Sequence, residues 1–534
     1  MPRRTFSLSH DYADSLSEHE FLIETAHKIP SHPLSRSDIL SRRISIIGLV
    51  FTLVVGMACI ITGAALNAAS KGNPQTYFDD VLYVYSQTTP FNPTLLEIPI
   101  LLLSALVTVC TEAIGYVHST ALRSELMQER RLVFNTNARL FTATRRRRWT
   151  GPNGVLCNVF MAVLLIMSFV SATLTFTTQL HIFVVSFVPM VSLGVFLILQ
   201  VLVATYALSA THILTWDNNA LETLTVLSRQ RLVKRFPGRG MCSVSDPGTD
   251  PHPQIPSARQ PSTWQARRDI RVVIVLMWAF TALCTVWGGV TYLARFKPPP
   301  EDNVETSFQW TLEPSYNFSP YLQWIVPWGS GGLLWTQIFG VMFIVQGTLA
   351  TTLHLAGLAA NTLRDEQMWR SASSPKGAAV QVNVLWSIVT PPNLLLLLAK
   401  PVLHWMMSLA NTAEIDADEA SDGGSIVAFA FWSVQYWNLS IGLVILTAIF
   451  TFLVMRRPRG PQPAAYGHFQ TLANLIDDWP EEEDGKERLY WGDKGLYLDA
   501  GNESESEWDI GEKRCHAGTS GSLLAPVNMN ALYA

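Results

Sequence analysis

The sequence predicts an all-α, polytopic membrane helical bundle of about eight transmembrane helices with both termini cytosolic. Three observations carry that prediction. Hydrophobic residues make up 49% of the 534-residue chain and charged residues only 15%, against roughly a quarter in soluble domains. The hydrophobic residues gather into runs of the ~20 residues that a helix needs to cross a bilayer core. The cations are confined to alternate segments between those runs, as orientation in a membrane requires. Mean hydropathy, +0.21, agrees. A net charge of −4 disfavours a nucleic-acid partner, which calls for a basic excess. Six cysteines are too few for a disulfide-built secreted protein.

The runs follow in order. A charged cytosolic arm, 1–43, precedes the first, 44–66, so that span is expected to act as an uncleaved targeting signal. The next five are 95–117, 155–176, 187–213, 272–293 and 333–358. Soluble helices are rarely apolar on every face for this long. The seventh, 384–409, is weaker because it carries Pro391, Pro392, Lys400, Pro401 and His404. The eighth is 426–455, and an acidic cytosolic tail, 456–534, completes the chain.

Of the 38 Lys and Arg residues, 33 lie in the arm, the loops after spans two, four and six, and the tail. The intervening loops hold three cations and eleven acids. A re-entrant seventh segment would place Arg456, Arg457 and Arg459 outside, so a complete span is the cheaper reading. The lipid bilayer is therefore the expected partner. The run Arg145, Arg146, Arg147 and Arg148 reads as an anionic-lipid contact or, more simply, as a topology lock.

The loops exclude several functions. The longest outer loop has 35 residues, too few for a receptor domain. The cytosolic stretch 236–261 is rich in Pro, Gly and Ser and is expected to be disordered. No phosphate-binding GxxxxGK[ST], HExxH or CxxC is present, so no cofactor, metal or enzymatic signature emerges. The run from Gly329 to Gly332 lacks the spacing of a serine-nucleophile elbow. Asn317-Phe318-Ser319 is a glycosylation sequon in the longest outer loop.

An ionisable group at membrane depth costs a few kcal/mol or more, so each one is a functional candidate. Glu97 and Glu112 lie on the second span, Lys400 and His404 on the seventh, His354 on the sixth, and His212 ends the fourth. Span direction places Glu97 and Lys400 towards the outer side, as an expected pair. Glu112, His118, His212 and His354 fall towards the cytosolic side, as a candidate polar site. A carboxylate with histidines suits proton- or cation-linked transport. The simpler reading makes them helix-end residues wetted by headgroup water.

Two cytosolic stretches stand out. One joins spans two and three: Glu112-Ala113-Ile114-Gly115-Tyr116-Val117-His118-Ser119-Thr120-Ala121-Leu122-Arg123, then Phe134-Asn135-Thr136-Asn137-Ala138-Arg139-Leu140-Phe141. The second span is expected to run on as helix into the cytosol and to turn at the Asn pair. The other stretch is in the tail: a helix over 468–479, then Trp491-Gly492-Asp493-Lys494-Gly495 and His516-Ala517-Gly518-Thr519-Ser520-Gly521. These tail segments are expected either to dock on the protein's own cytosolic face or to bind cytosolic protein partners.

In these motifs the chain resembles a family of uncharacterised fungal multi-spanning membrane proteins, although Cys515 interrupts the family's usual Arg-His pair. The resemblance implies an integral membrane protein of a fungal cell and supplies no activity. Two functions are therefore expected: a transporter or channel-like protein, or a non-catalytic scaffold or sensor working through its loop and tail.

Overall fold

In the computed structural model, residues 35–70, 82–84, 93–145, 148–179, 182–294, 309–314, 320–327, 332–382, 388–417, 425–480, 487–496 and 514–533 are described. Eight helices among them are long and apolar enough to cross a membrane. They form the all-α polytopic bundle of an integral, multi-pass membrane protein. In chain order the helices are α1 (Arg36–Ser70), α2 (Pro93–Gln128), α3 (Val155–Thr175), α4 (Phe187–Ala210), α5 (Ala220–Arg229), α6 (Thr263–Ala266), α7 (Arg268–Leu293), α8 (Gly332–Arg370), α9 (Pro391–Ala410), α10 (Ser433–Met455) and α11 (Phe469–Leu475). The short ones, α5, α6 and α11, lie outside the spans.

The spanning helices are apolar all round because they face two apolar surroundings. Residues such as Val107, Ile114, Leu197 and Phe450 fill a common core. Others, such as Ile47, Val54 and Ile61 on α1 and Val275 and Val286 on α7, are exposed and face lipid. The helix α9 packs against α2, α8 and α10, while α1 packs against α2 and α4. Pro391 and Pro392 open α9, where their missing N–H groups cost nothing.

Helix limits differ from the sequence expectation at several places: α1 begins at Arg36 rather than 44, α8 runs on to Arg370 rather than 358, and α9 begins at Pro391 rather than 384. The eighth helix begins at Ser433, because 425–432 pairs as a strand. Its Ile-Val-Ala-Phe-Ala-Phe run is apolar enough to read as span but is satisfied by strand partners. The second helix ends at Gln128, and the chain turns at Arg130, with φ of 52°, ahead of the Asn pair. In the tail, α11 stops at Leu475, short of Trp479.

The two ends of the bundle differ. One end carries two small antiparallel sheets. In the first, β1 (Leu82–Val84), β3 (Ile182–Val185) and β2 (Phe176–Gln179) lie in that order. In the second, the order is β4 (Tyr321–Pro327), β7 (Ser425–Trp432) and β6 (Asn411–Ala417). The other end carries a layer with its own hydrophobic core. That core joins Leu122 and Leu126 of α2, Leu221 and Leu224 of α5, Trp369, Phe469 and Leu472 of α11, and Tyr533. In this layer β5 (Ala378–Ala379), β8 (Arg488–Leu496) and β9 (Cys515–Ser520) form a third sheet. The described part of the tail is thus folded onto the loops between spans. The stretch 236–261 is folded as well, contrary to expectation. Arg239 holds it by donating to the carbonyls of Asp246 (2.6 Å) and Asp250 (2.8 Å), and Gln254 pairs with Tyr533. Arg146, Arg147 and Asn317 lie outside the described residues.

Tail docking turns on Asp477. Its carboxylate accepts from Lys494 Nζ (2.8 Å), His516 Nε2 (2.7 Å) and the Thr519 N–H (2.5 Å). It sits against Gly518, where an added Cβ would overlap it. Burial pushes this carboxyl up, but bonds from His516, Lys494 and Thr519 outweigh burial and hold its pKa well below the usual carboxylate range. A folded pKa below the unfolded value of ~3.9 stabilises the layer at neutral pH, and that contribution disappears as pH falls below about 4. Asp477→Asn is expected to cost about 1–3 kcal/mol at pH 7 and to flatten the acid limb of a thermal-unfolding profile.

A second carboxylate group has the opposite sign. Asp38 of α1 accepts from Thr215 Oγ1 and the Trp216 and Asp217 N–H groups, while Glu222 accepts from Ser35 and Ser37. Burial, then the neighbouring Asp217, raises the Glu222 carboxyl far above its usual range. A folded pKa above the unfolded ~4.3 gives stability that is complete below about pH 4 and declines as pH rises. Glu222→Gln is expected to raise the unfolding temperature at pH 9 more than at pH 5.

Candidate functional site

The two sequence motifs between spans two and three meet in one cavity of about 390 Å³, within the usual range of small-molecule sites. Four helices supply most of its walls, each through a stripe at helical spacing, and Leu165 and Phe169 of α3 add to them. From α2 come Thr111, Glu112, Gly115, Tyr116 and Ser119; from α8, Ala350, His354, Gly357, Asn361 and Arg364. Asn393, Leu396, Lys400 and His404 line it from α9, and Ile44, Ser45 and Gly48 from α1. The floor is Asn135, Thr136, Asn137, Ala138 and Arg139, with Asn218.

Lys400 and Glu112 form an ion pair across the cavity. Lys400 is buried, but half of the Glu112 side chain (49%) is open to the cavity. Counting 1.5 Å per residue from Glu97, Glu112 lies roughly 22 Å along α2, inside a hydrocarbon core of ~30 Å. A charge at that depth needs its partner or water.

Arg139 adds a second cation. It follows the turn after α2 in a short 3-10 helix and is buried, with 8% exposure. Its guanidinium reaches the cavity because residue 115 is glycine: a Cβ there would lie 3.1 Å from Nη1. Among the described residues Nη1 has no hydrogen-bond partner. Burial pulls its pKa down to about 10, and Glu112 opposes the shift, so Arg139 stays charged at neutral pH.

The ceiling is His404. Its ring stacks on Phe169 at 3.7 Å, and Nδ1 bonds Gln346 Oε1 at 3.0 Å. Gln346 in turn donates to Thr173 at 3.0 Å. The floor is tied to the folded layer. Arg123 donates to Asn135 Oδ1 (2.8 Å), the Asp217 carbonyl (3.0 Å) and Thr223 Oγ1 (2.5 Å). Asn135 donates to Asp365, which Arg364 neutralises at 2.9 Å. Arg267 bonds Thr362 (2.9 Å) and sits 4.1 Å over the Phe134 ring. The backbone N–H of Asn135 donates to Gly467 of the tail (2.9 Å).

The structure regroups the sequence candidates. Glu112 and His354 share the cavity with Lys400. Glu97 does not pair with Lys400; it accepts from Trp405 Nε1 at 2.8 Å, because the long Lys400 side chain is engaged by Glu112. His118 is buried but does not line the cavity. Six residues past Glu112 put it about 240° around the helix, whereas Ser119 returns to the same face. His212 is exposed in the loop after α4, its carbonyl accepting from Gln128. Arg139, Asn361 and Asn393 were not among the sequence candidates. The seven-residue step from His354 to Asn361 would have marked the latter.

Among the described residues, no group of three or more His, Cys, Asp or Glu is placed to hold a metal ion. Comparison with models of known families, with curated proteins and with solved structures finds no match. The motifs therefore take their meaning from placement: one part lines the cavity, the other ties it to the folded layer.

Removing Lys400 leaves Glu112 at membrane depth without its cation. Lys400→Met is expected to destabilise by about 1–3 kcal/mol, less than the 3–5 of a sealed pair because Glu112 opens to the cavity. The double variant Glu112→Gln/Lys400→Met should recover most of that loss in detergent thermal unfolding.

Proposed function

We propose that the protein is a non-enzymatic membrane transport protein whose solute occupies the cavity between α1, α2, α8 and α9. The reading rests on one observation: a Lys-Glu pair inside the bundle whose carboxylate is half open to a cavity of small-molecule size. A pair enclosed on all sides would carry the full cost of removal from water, whereas this one keeps its carboxylate open to the cavity. An ion pair open to a solute site can exchange partners, and such exchange couples binding to helix movement. On this reading the inner layer is cytosolic and the protein sits in the plasma membrane or another secretory-pathway membrane, with Asn317 facing outwards for glycosylation.

A second role is supported by the layer itself. Its separate hydrophobic core gives the loops and tail a fixed shape on which cytosolic proteins can dock. Arg145 and Arg148, at the start of the third span, are suited to anionic lipid. This scaffold or sensor reading needs no solute movement, so flux separates the two.

Proteoliposomes on a solid-supported membrane, challenged with a panel of small organic anions, cations and polyols, give the test. At least one solute should produce a charge displacement that Lys400→Met abolishes. Solute binding with neither displacement nor flux would contradict transport and favour the sensor.

A further inference from the structure

The cavity is unbalanced in charge. Two cations, Lys400 and Arg139, face one carboxylate, Glu112. The other acid near the floor, Asp365, is neutralised by Arg364 and bonded by Asn135. His354 lies within electrostatic reach of both Arg139 and Lys400 and adds no negative charge. An uncompensated guanidinium out of water costs several kcal/mol unless an anion joins it. Arg139 is more than nine-tenths buried, and its guanidinium, with Nη1 unpartnered, fills the space that the absent side chain of Gly115 leaves at the cavity wall.

We propose that this cavity binds organic anions, with a carboxylate or phosphate head held by Arg139 and Lys400 and an apolar body against the walls. The proposal rests on the solute-cavity reading and specifies the solute's chemistry. A guanidinium presents paired N–H groups that match the two oxygens of such a head. The incoming head takes the place of Glu112 beside Lys400, so Glu112 is the internal competitor of the ligand. Leu165, Phe169, Leu353 and Leu396 give the body an apolar surface.

Exposed apolar residues also line the cavity. Val109 of α2 and Ile388, just before α9, are 49% and 42% exposed. Val109 lies roughly 18 Å along α2 from Glu97, within the hydrocarbon core. The same head chemistry can therefore arrive on an amphiphile from the bilayer or on a small acid from water.

The test uses the full-length protein in nanodiscs of neutral phosphatidylcholine, with thermal unfolding as the readout. Phosphatidic acid and dodecanoate probe entry from the bilayer; benzoate and inorganic phosphate probe entry from water. Dodecanol and dodecyltrimethylammonium are the controls. Anionic probes should raise the unfolding temperature and the controls should not. A response confined to the first two assigns a bilayer source, and a response to benzoate or phosphate assigns an aqueous one.

Arg139→Gln should weaken anion binding at least tenfold, and Arg139→Lys should restore part of it. Glu112→Gln should strengthen it, a sign that loss of packing alone would not produce. Weaker anion binding in Glu112→Gln, preference for the cationic probe, or no response to any anion would overturn the proposal. Any of these would leave the flux test of transport standing separately.

Discussion

A charged lysine in the middle of a membrane-spanning helix sets the terms for the rest of this structure. Lys400 needs a counter-charge at its own depth, and the bilayer supplies none. Glu112 provides it from α2, so α2 and α9 must pack side by side. Because Glu112 remains half open, the space around the pair stays a cavity rather than a seam. The stripes of α2, α8 and α9 that face it correspondingly carry polar residues at helical spacing.

The floor of the cavity transmits the same constraint to the inner layer. Asn135 links three parts at once: it accepts from Arg123 of α2, donates to Asp365 of α8 and bonds Gly467 of the tail. A shift in the floor therefore strains contacts in the layer, and tail docking bears on the cavity in turn. The two carboxylate centres of the layer respond to pH in opposite directions. The Asp477 contribution is complete above about pH 4, and the Glu222 contribution is complete only below about pH 4 and declines above it. Their combined effect places the layer's greatest stability near pH 4.

The fold was legible because membrane insertion acts on composition. Long apolar runs and one-sided cations specify spans without any tertiary information. Strand segments such as 425–432 were not separable from span, since an apolar run satisfies a helix or a paired strand equally. The motif containing Glu112 and Arg139 was legible as unusual, and so was the depth of Glu112 along its helix. Its partner was not. Depth along a helix can be counted only from its true start: the expected span begins at 384, whereas α9 begins at Pro391, so Lys400 sits about 10 Å nearer the start of its helix than the count placed it. Arg139 was visible in the motif but not as a cavity residue, because its place there comes from Gly115, one missing side chain away on another element. The folding of 236–261 was hidden because its Pro, Gly and Ser content resembles that of disordered chain. What orders it is Arg239 bonding the carbonyls of Asp246 and Asp250 within the stretch, and Gln254 pairing with Tyr533 of the tail.

The central claim is that the space around Glu112 is an accessible site rather than part of a sealed core. Cysteine accessibility tests it most directly, in a variant with the six native cysteines replaced. Ser119→Cys lines the cavity on the Glu112 face, and Ser168→Cys is fully buried between α3 and α4 as a reference. A membrane-impermeant maleimide applied from the tail side should label position 119 and leave position 168 untouched. Equal protection of the two positions would contradict the account.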